Sequence, residues 1–251
     1  MSSILNLEDP SEWPSSLNRT LADVRPIMRA WEQDLSVKNA ADFDHAIRLL
    51  SRALQLYSIR GWHCTRLTED EADAVEACGL ACLNAELVER RVAAQVRRGS
   101  MPAVIGDAVL AAHQGAARNR AGMIWFCFFR PRGAGEDGIR RLLGYWGGEA
   151  IYSAHESNPI VAASLQRLGR SCIVEADVPV NWLSAQCTSA LARLVSRLDL
   201  RNQGETDEEP HLLEGSAEHA IPGGCIRAVH RFPDVHFVAL SGCDTWRVPL
   251  S

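Results

Sequence analysis

Phe43, Ile47, Leu50, Leu54 and Tyr57 recur at spacings of four and three, with Arg48, Ser51 and Arg52 outside the stripe. That period predicts an amphipathic helix from Phe43, and its apolar face reads as core packing. Upstream, Pro10, Pro14 and Pro26 punctuate the first forty residues, which read as an irregular arm with only short helical stretches. Ile59, Trp62 and Cys64 predict an extended strand over 58–66. Thr68 and Glu71 then form a capping box, hydroxyl and carboxylate each satisfying the other's backbone N–H, and Gly79 closes that helix. Asn84 caps a further helix to about Arg98, rich in Glu and Arg and therefore largely solvated. Another helical stretch covers roughly 103–117.

The apolar run Met123–Phe129 predicts a buried central strand, bounded by Gly122 and Pro131. A Gly-rich turn over 131–138 leads to a short helix ending near Leu143. Trp146–Tyr152 reads as a glycine-kinked strand, 160–168 as a helix and 172–179 as a further strand. Leu183, Cys187, Leu191, Leu194, Val195 and Leu198 mark an amphipathic helix. The acidic stretch 202–215 is an exposed loop, and two last strands are expected at 225–231 and 236–240. Helices come first and strands with short helices between them follow, without regular βαβ alternation, which places the chain in the α+β class.

Composition narrows the function. The 251 residues can bury a substantial core unaided, as one domain or a domain plus an extension. The net charge of -5 argues against a protein that coats nucleic acid, though not against a local basic groove. No run approaches the ~18 apolar residues of a membrane span. The N-terminus lacks signal-peptide character, so a cytoplasmic protein is expected. The 8 cysteines include no C-x-x-C pair and are read as reduced thiols, mostly buried, with no metal site.

Signatures of common enzyme classes are missing: there is no P-loop, no G-x-S-x-G and no H-E-x-x-H. Gly133-Ala-Gly135-Glu-Asp-Gly138 has the form of a dinucleotide fingerprint, but Arg130 and Pro131 separate it from the preceding strand, and it reads as a turn. What remains is Trp62-His63-Cys64-Thr65-Arg66, a polar His inside a predicted strand, followed by a capped helix and Gly79-Leu80.

These residues resemble the opening of bacterial ADP-ribosyltransferases of the His-Tyr-Glu type, whose first core strand carries H-x-T and whose next helix ends in G-L. Two more segments are similar in the same order. Trp146-Gly-Gly-Glu-Ala-Ile-Tyr152 looks like the second motif, a strand ending in an aromatic that stacks on nicotinamide. Glu218-His-Ala-Ile-Pro-Gly-Gly-Cys-Ile226 looks like the third, a Glu before an I-P-x-x-x-I element. The strand and helix at 172–182 also match the family pattern. The resemblance covers about 60–240. It implies a split β-sheet core at 59–251 with a helical N-terminal arm at 1–58 and a helical insertion between Gly79 and Met123. NAD is then the substrate and a macromolecule of unstated type the acceptor, with no membrane partner.

Cleaving the nicotinamide glycosidic bond passes through an oxocarbenium-like state. His63 and Thr65 would bind the ribose, Tyr152 would offer its ring face, and Glu218 would orient or deprotonate the nucleophile. Arg66, Arg118 or Arg120 would contact the pyrophosphate. Glu218 competes for its role with Glu208, Glu209 and Glu214. Ser216 stands where arginine-specific members carry Glu or Gln, so an arginine side chain is the less expected acceptor. A 2′-phosphotransferase on the same scaffold and an inactive binding module remain open. A basic surface on the 84–98 helix (Arg90, Arg91, Arg97 and Arg98) reads as a solvated face rather than a docking site.

Overall fold

A computed structural model describes residues 3–33, 39–204 and 212–250. In chain order the elements are β1 (Ile4–Leu5), α1 (Ser15–Gln33), α2 (Ala40–Leu54), β2 (Ser58–Leu67), α3 (Glu69–Cys78) and β3 (Gly79–Leu80). Then come α4 (Ala85–Arg97), α5 (Ala103–Ala111), β4 (Ile124–Cys127), α6 (Gly135–Gly144), α7 (Glu149–His155) and α8 (Pro159–Arg167). The last are β5 (Arg170–Pro179), α9 (Ala185–Asn202), β6 (Glu214–Ala217), β7 (Ile221–Pro222), β8 (Ile226–Arg231) and α10 (Val235–Ser241). The fold is mixed α and β. Five strands follow the order β6-β4-β2-β5-β8, β1 adds to β2 in parallel, and β3 and β7 form a separate two-stranded ribbon. β5 and β8 are antiparallel, with Cys172 opposite Arg231 and Val174 opposite Val229.

The chain divides into two compact units. One comprises Met1–Gly61, Cys127–Phe129 and Asp177–Ala217; the other comprises Trp62–Phe126, Arg130–Ala176 and Glu218–Ser251. In the first, α1, α2 and α9 pack together, and the Arg25 guanidinium donates to both oxygens of Asp199 at 2.7 and 2.9 Å. The expected irregular arm is instead the long helix α1. Its apolar positions Leu17, Leu21, Val24 and Met28 are all buried. An interior proline costs about 3 kcal/mol, whereas each buried side chain of this size returns ~1.5–3 kcal/mol. Four of them outweigh Pro26, whose ring faces solvent.

The second unit holds three apolar clusters. Trp62 and Cys64 lie on one face of β2 with Ile173, against Ile139 and Leu143 of α6 and Phe237 of α10. Leu67, on the opposite face, packs with Ala72, Cys172, Val174 and Val229. Val88, Val92, Ile105, Val161 and Leu165 of three helices enclose Trp146. The helices from α2 to α4, α8 and α9, and the strands β2, β5 and β8, stand near where their periodicity and caps place them.

Other segments differ from expectation. Trp146–Tyr152 is no strand: Gly147 and Gly148 both have positive φ, at 87° and 66°, which breaks extended backbone and starts α7. The predicted strand at 236–240 is α10, capped by the Asp234 carboxylate on the His236 N–H at 2.7 Å and closed by Gly242 in the left-handed region. The turn at 131–138 is a 3₁₀ turn running into α6. α5 stops at Ala111, well before residue 117. β4 is not buried throughout, since Trp125 is 48% exposed. Residues 205–211 of the acidic stretch, with Glu208 and Glu209, lie outside the described residues, and Glu214 opens β6. All eight cysteines are free, and Cys64, Cys172, Cys187 and Cys243 are buried.

The β3–β7 ribbon depends on one glycine. Gly79 closes α3 at φ 93° and pairs with Pro222, where an added Cβ would fall on the Ile221 carbonyl oxygen. Gly79→Ala is therefore expected to lower stability by about 3 kcal/mol, from strained φ and overlap together. Denaturant unfolding of the variant against the parent measures this.

Candidate functional site

His63, Thr65 and Leu67 alternate onto one face of β2, away from the Trp62 and Cys64 core. Leu67 and Thr65 are buried, while His63 remains partly exposed. The His63 Nδ1 lies 2.8 Å from the Trp125 carbonyl oxygen of β4, so Nδ1 carries the proton and Nε2 is left as an acceptor. The Phe126 ring meets the imidazole edge-on at 6.0 Å. Burial pushes the imidazole pKa below its ordinary value and the Arg91 charge pushes the same way, against the Trp125 hydrogen bond. His63 is thus held neutral, with a fixed tautomer.

Arg91 departs from the solvated face expected of its helix. Arg90, Arg97 and Arg98 are exposed as expected, but Arg91 turns inward. Its Nε donates to Glu71 Oε1 at 2.8 Å, and its guanidinium lies over the Trp146 ring at 4.7 Å. The other oxygen of Glu71 accepts the Trp146 indole N–H at 2.8 Å, the Thr68 N–H at 2.9 Å and the Thr68 hydroxyl at 3.2 Å. Burial alone would raise the Glu71 pKa, but Arg91 and these donors together hold it below the ordinary value. Arg91 Nη2 is buried without an acceptor among the described residues, and so is Gln95 Nε2 one turn further on. The legible signal was spacing: Val88, Arg91, Val92 and Gln95 stand at i, i+3, i+4 and i+7, which is one helix face.

The remaining expected site residues disperse. Arg66 is 4% exposed, donating to the Leu168 carbonyl at 2.9 Å and the Ser171 hydroxyl at 3.3 Å. It anchors the start of β5 and is not presented to a ligand. Arg120 is paired with Glu149 at 2.8 Å. Tyr152 sits in α7, 4% exposed, with the Arg141 guanidinium over its ring at 4.8 Å and Tyr145 beside it at 5.5 Å. Burial, then the nearby Glu149, pushes its phenol up to about 12. The ring face expected for nicotinamide is covered by Arg141. Nor does Trp125 substitute for it, because its side chain leaves β4 on the face opposite Phe126. Glu218 is exposed and follows directly on β6, three residues before the β7 strand. The Gly133–Gly138 segment makes a poor phosphate cradle. Glu136 and Asp137 occupy the first turn of α6, and Glu136 already accepts the backbone N–H groups of Arg247 and Val248.

Glu71 carries charge in the folded protein at lower pH than an ordinary glutamate. Its contribution is full above the ordinary carboxylate range and is lost as pH falls through the depressed value. Glu71→Gln is expected to cost about 2 kcal/mol at pH 7, from the uncompensated Arg91 and the weakened N–H acceptance. The gap between variant and parent should narrow as pH falls below the ordinary carboxylate range, as read from urea unfolding across an acid pH series.

No family model matches the chain, and no curated protein or solved structure matches it.

Proposed function

We propose that this protein is an NAD-dependent transferase that moves ADP-ribose to a macromolecular acceptor and releases nicotinamide. The observation that carries the reading is the β3–β7 ribbon. Gly79-Leu80 and Ile221-Pro222, two of the segments that resemble the family, are distant in sequence yet pair residue for residue. A chance likeness of short motifs gives no reason for that pairing.

On this reading the neutral His63 accepts a hydrogen bond from a hydroxyl of the nicotinamide ribose at Nε2, its orientation set by the Trp125 carbonyl. Thr65 stands two residues on, along the same face. The glycosidic bond between the ribose anomeric carbon and the nicotinamide nitrogen breaks, its electron pair leaving with a now neutral nicotinamide. The acceptor nucleophile bonds to the anomeric carbon and loses its proton to Glu218, whose exposed position leaves it accessible to a large partner. Tyr152 has no part in this scheme, since Arg141 occupies its ring face. Transfer of a 2′-phosphate from RNA to NAD is the second reading. The inward Arg91 guanidinium, a basic group of the kind that reaction needs, is the observation that favours it.

His63→Ala and Glu218→Gln are each expected to lower NAD⁺ consumption and labelling of a cell extract by at least ~100-fold, with an unchanged circular dichroism spectrum. Retained turnover in Glu218→Gln alone selects the phosphotransferase. Full activity in both variants overturns the reading.

A further inference from the structure

β8 ends the strand order of the sheet, and there His230 and Glu175 form a polar pair outside the groups around His63. Ile173 packs with Trp62, Ile139 and Phe237 and stands opposite His230, so His230 shares that face, and strand alternation adds Glu175 to it. The His230 Nε2 lies 2.9 Å from Glu175 Oε2. An ionised carboxylate only accepts, so Nε2 carries the proton and Nδ1 keeps a lone pair. Both side chains are mostly buried, at 15% and 18% exposure. Nδ1 nevertheless has no partner among the described residues and is not sealed, so solvent reaches it. A second imidazole stands nearby. His236 opens α10 beside the buried Phe237, and its own ring is exposed and makes no hydrogen bond among the described residues. The two rings lie 6.0 Å apart, tilted by 47°. Arg231, the next residue of β8, turns to the opposite face, where Asp73 and Glu76 of α3 take its guanidinium.

We propose that His230 Nδ1 and the His236 ring bind a divalent transition-metal ion, with Glu175 as the positioning residue that orients His230. An imidazole that ligates a metal through one nitrogen almost always gives its other N–H to a carboxylate or carbonyl, which is the state of His230. An ion about 2.0–2.1 Å from each imidazole nitrogen sets the ring centroids about 5 Å apart at a tetrahedral angle and about 6 Å apart at a wider one. The observed separation of 6.0 Å falls in that span. Nitrogen ligands suit zinc, copper or nickel, whereas magnesium and calcium require oxygen. Among the described residues no group of three or more His, Cys, Asp or Glu could hold a metal ion, so the protein supplies two ligands and water completes the shell. The bound ion ties the head of α10 to the edge strand. None of the residues of the transferase reading takes part, so the two stand or fall separately.

Calorimetric titration of the full chain with zinc(II) tests this, with magnesium as the control that should not compete. His236→Ala removes an exposed ring that bonds to nothing, so the fold is kept, and zinc is expected to bind at least about tenfold more weakly. Glu175→Gln is expected to lose about tenfold as well, and nitrogen NMR should show His230 as the Nε2–H tautomer in the parent and as a mixture in this variant. Cobalt(II) separates imidazole from thiol ligation, since only thiolate gives an intense charge-transfer band, and none is expected. In the parent protein, substoichiometric cobalt(II) should broaden the imidazole signals of His230 and His236 ahead of the other histidines. That measurement holds whether or not a variant folds. No zinc binding at submillimolar concentration, competition by magnesium, equal affinity in either variant, an unchanged His230 tautomer in Glu175→Gln, a thiolate band, or first broadening at another histidine overturns the proposal.

Discussion

An ionised carboxylate can accept about four hydrogen bonds, and Glu71 uses that capacity on donors from three separate stretches of chain. Thr68 fixes the start of α3, Arg91 fixes the inner face of α4, and Trp146 fixes the turn that leads into α7. Each of these donors would be costly to bury alone. The guanidinium would be an unpaired charge and the indole an unpaired N–H. Gathered on one anion they become mutually supporting, and the carboxylate in turn is held ionised despite its burial. The helical cluster around Trp146, and the direction in which Arg91 points, both follow from this junction.

Much of the fold was legible wherever local signals agreed with one another. The stripe from Phe43 to Tyr57, the Thr68 box with Gly79, and the Asn84 cap each combined a period with a boundary, and each became the expected element. Elsewhere a single local signal points one way and the surrounding packing another. Pro26 signals a break in α1, but a stripe of four buried apolar residues overrides it. The short apolar run in α10 fits strand and helix equally, and only the flanking Asp234 and Gly242 decide it. Two adjacent glycines after Trp146 suit a strand kink by composition, but both take positive φ, and consecutive residues of that kind are incompatible with a strand.

The candidate site was legible in part for a related reason. His63 stands out because a polar side chain interrupts an otherwise apolar strand, and its face follows from strand alternation, whereas its Trp125 partner is a tertiary contact. Arg91 did not stand out, because arginine is ordinary on a helix surface and only its register with Val88 and Val92 marks it as inward. Tyr152 and Arg66 have surroundings that no local signal reports. Their residue types suit ligand binding, but a side chain's surroundings are set by tertiary packing, which covers one ring and consumes the other guanidinium.

The ribbon formed by Gly79-Leu80 and Ile221-Pro222 also bears on timing. The two dipeptides lie far apart in sequence, so their pairing cannot form until Pro222 has left the ribosome, and closing so long a loop is slow. Helices with local contacts, such as α4 or α9, can form long before. Any chemistry that needs both arms of the ribbon is therefore withheld from the nascent chain and from prematurely terminated products.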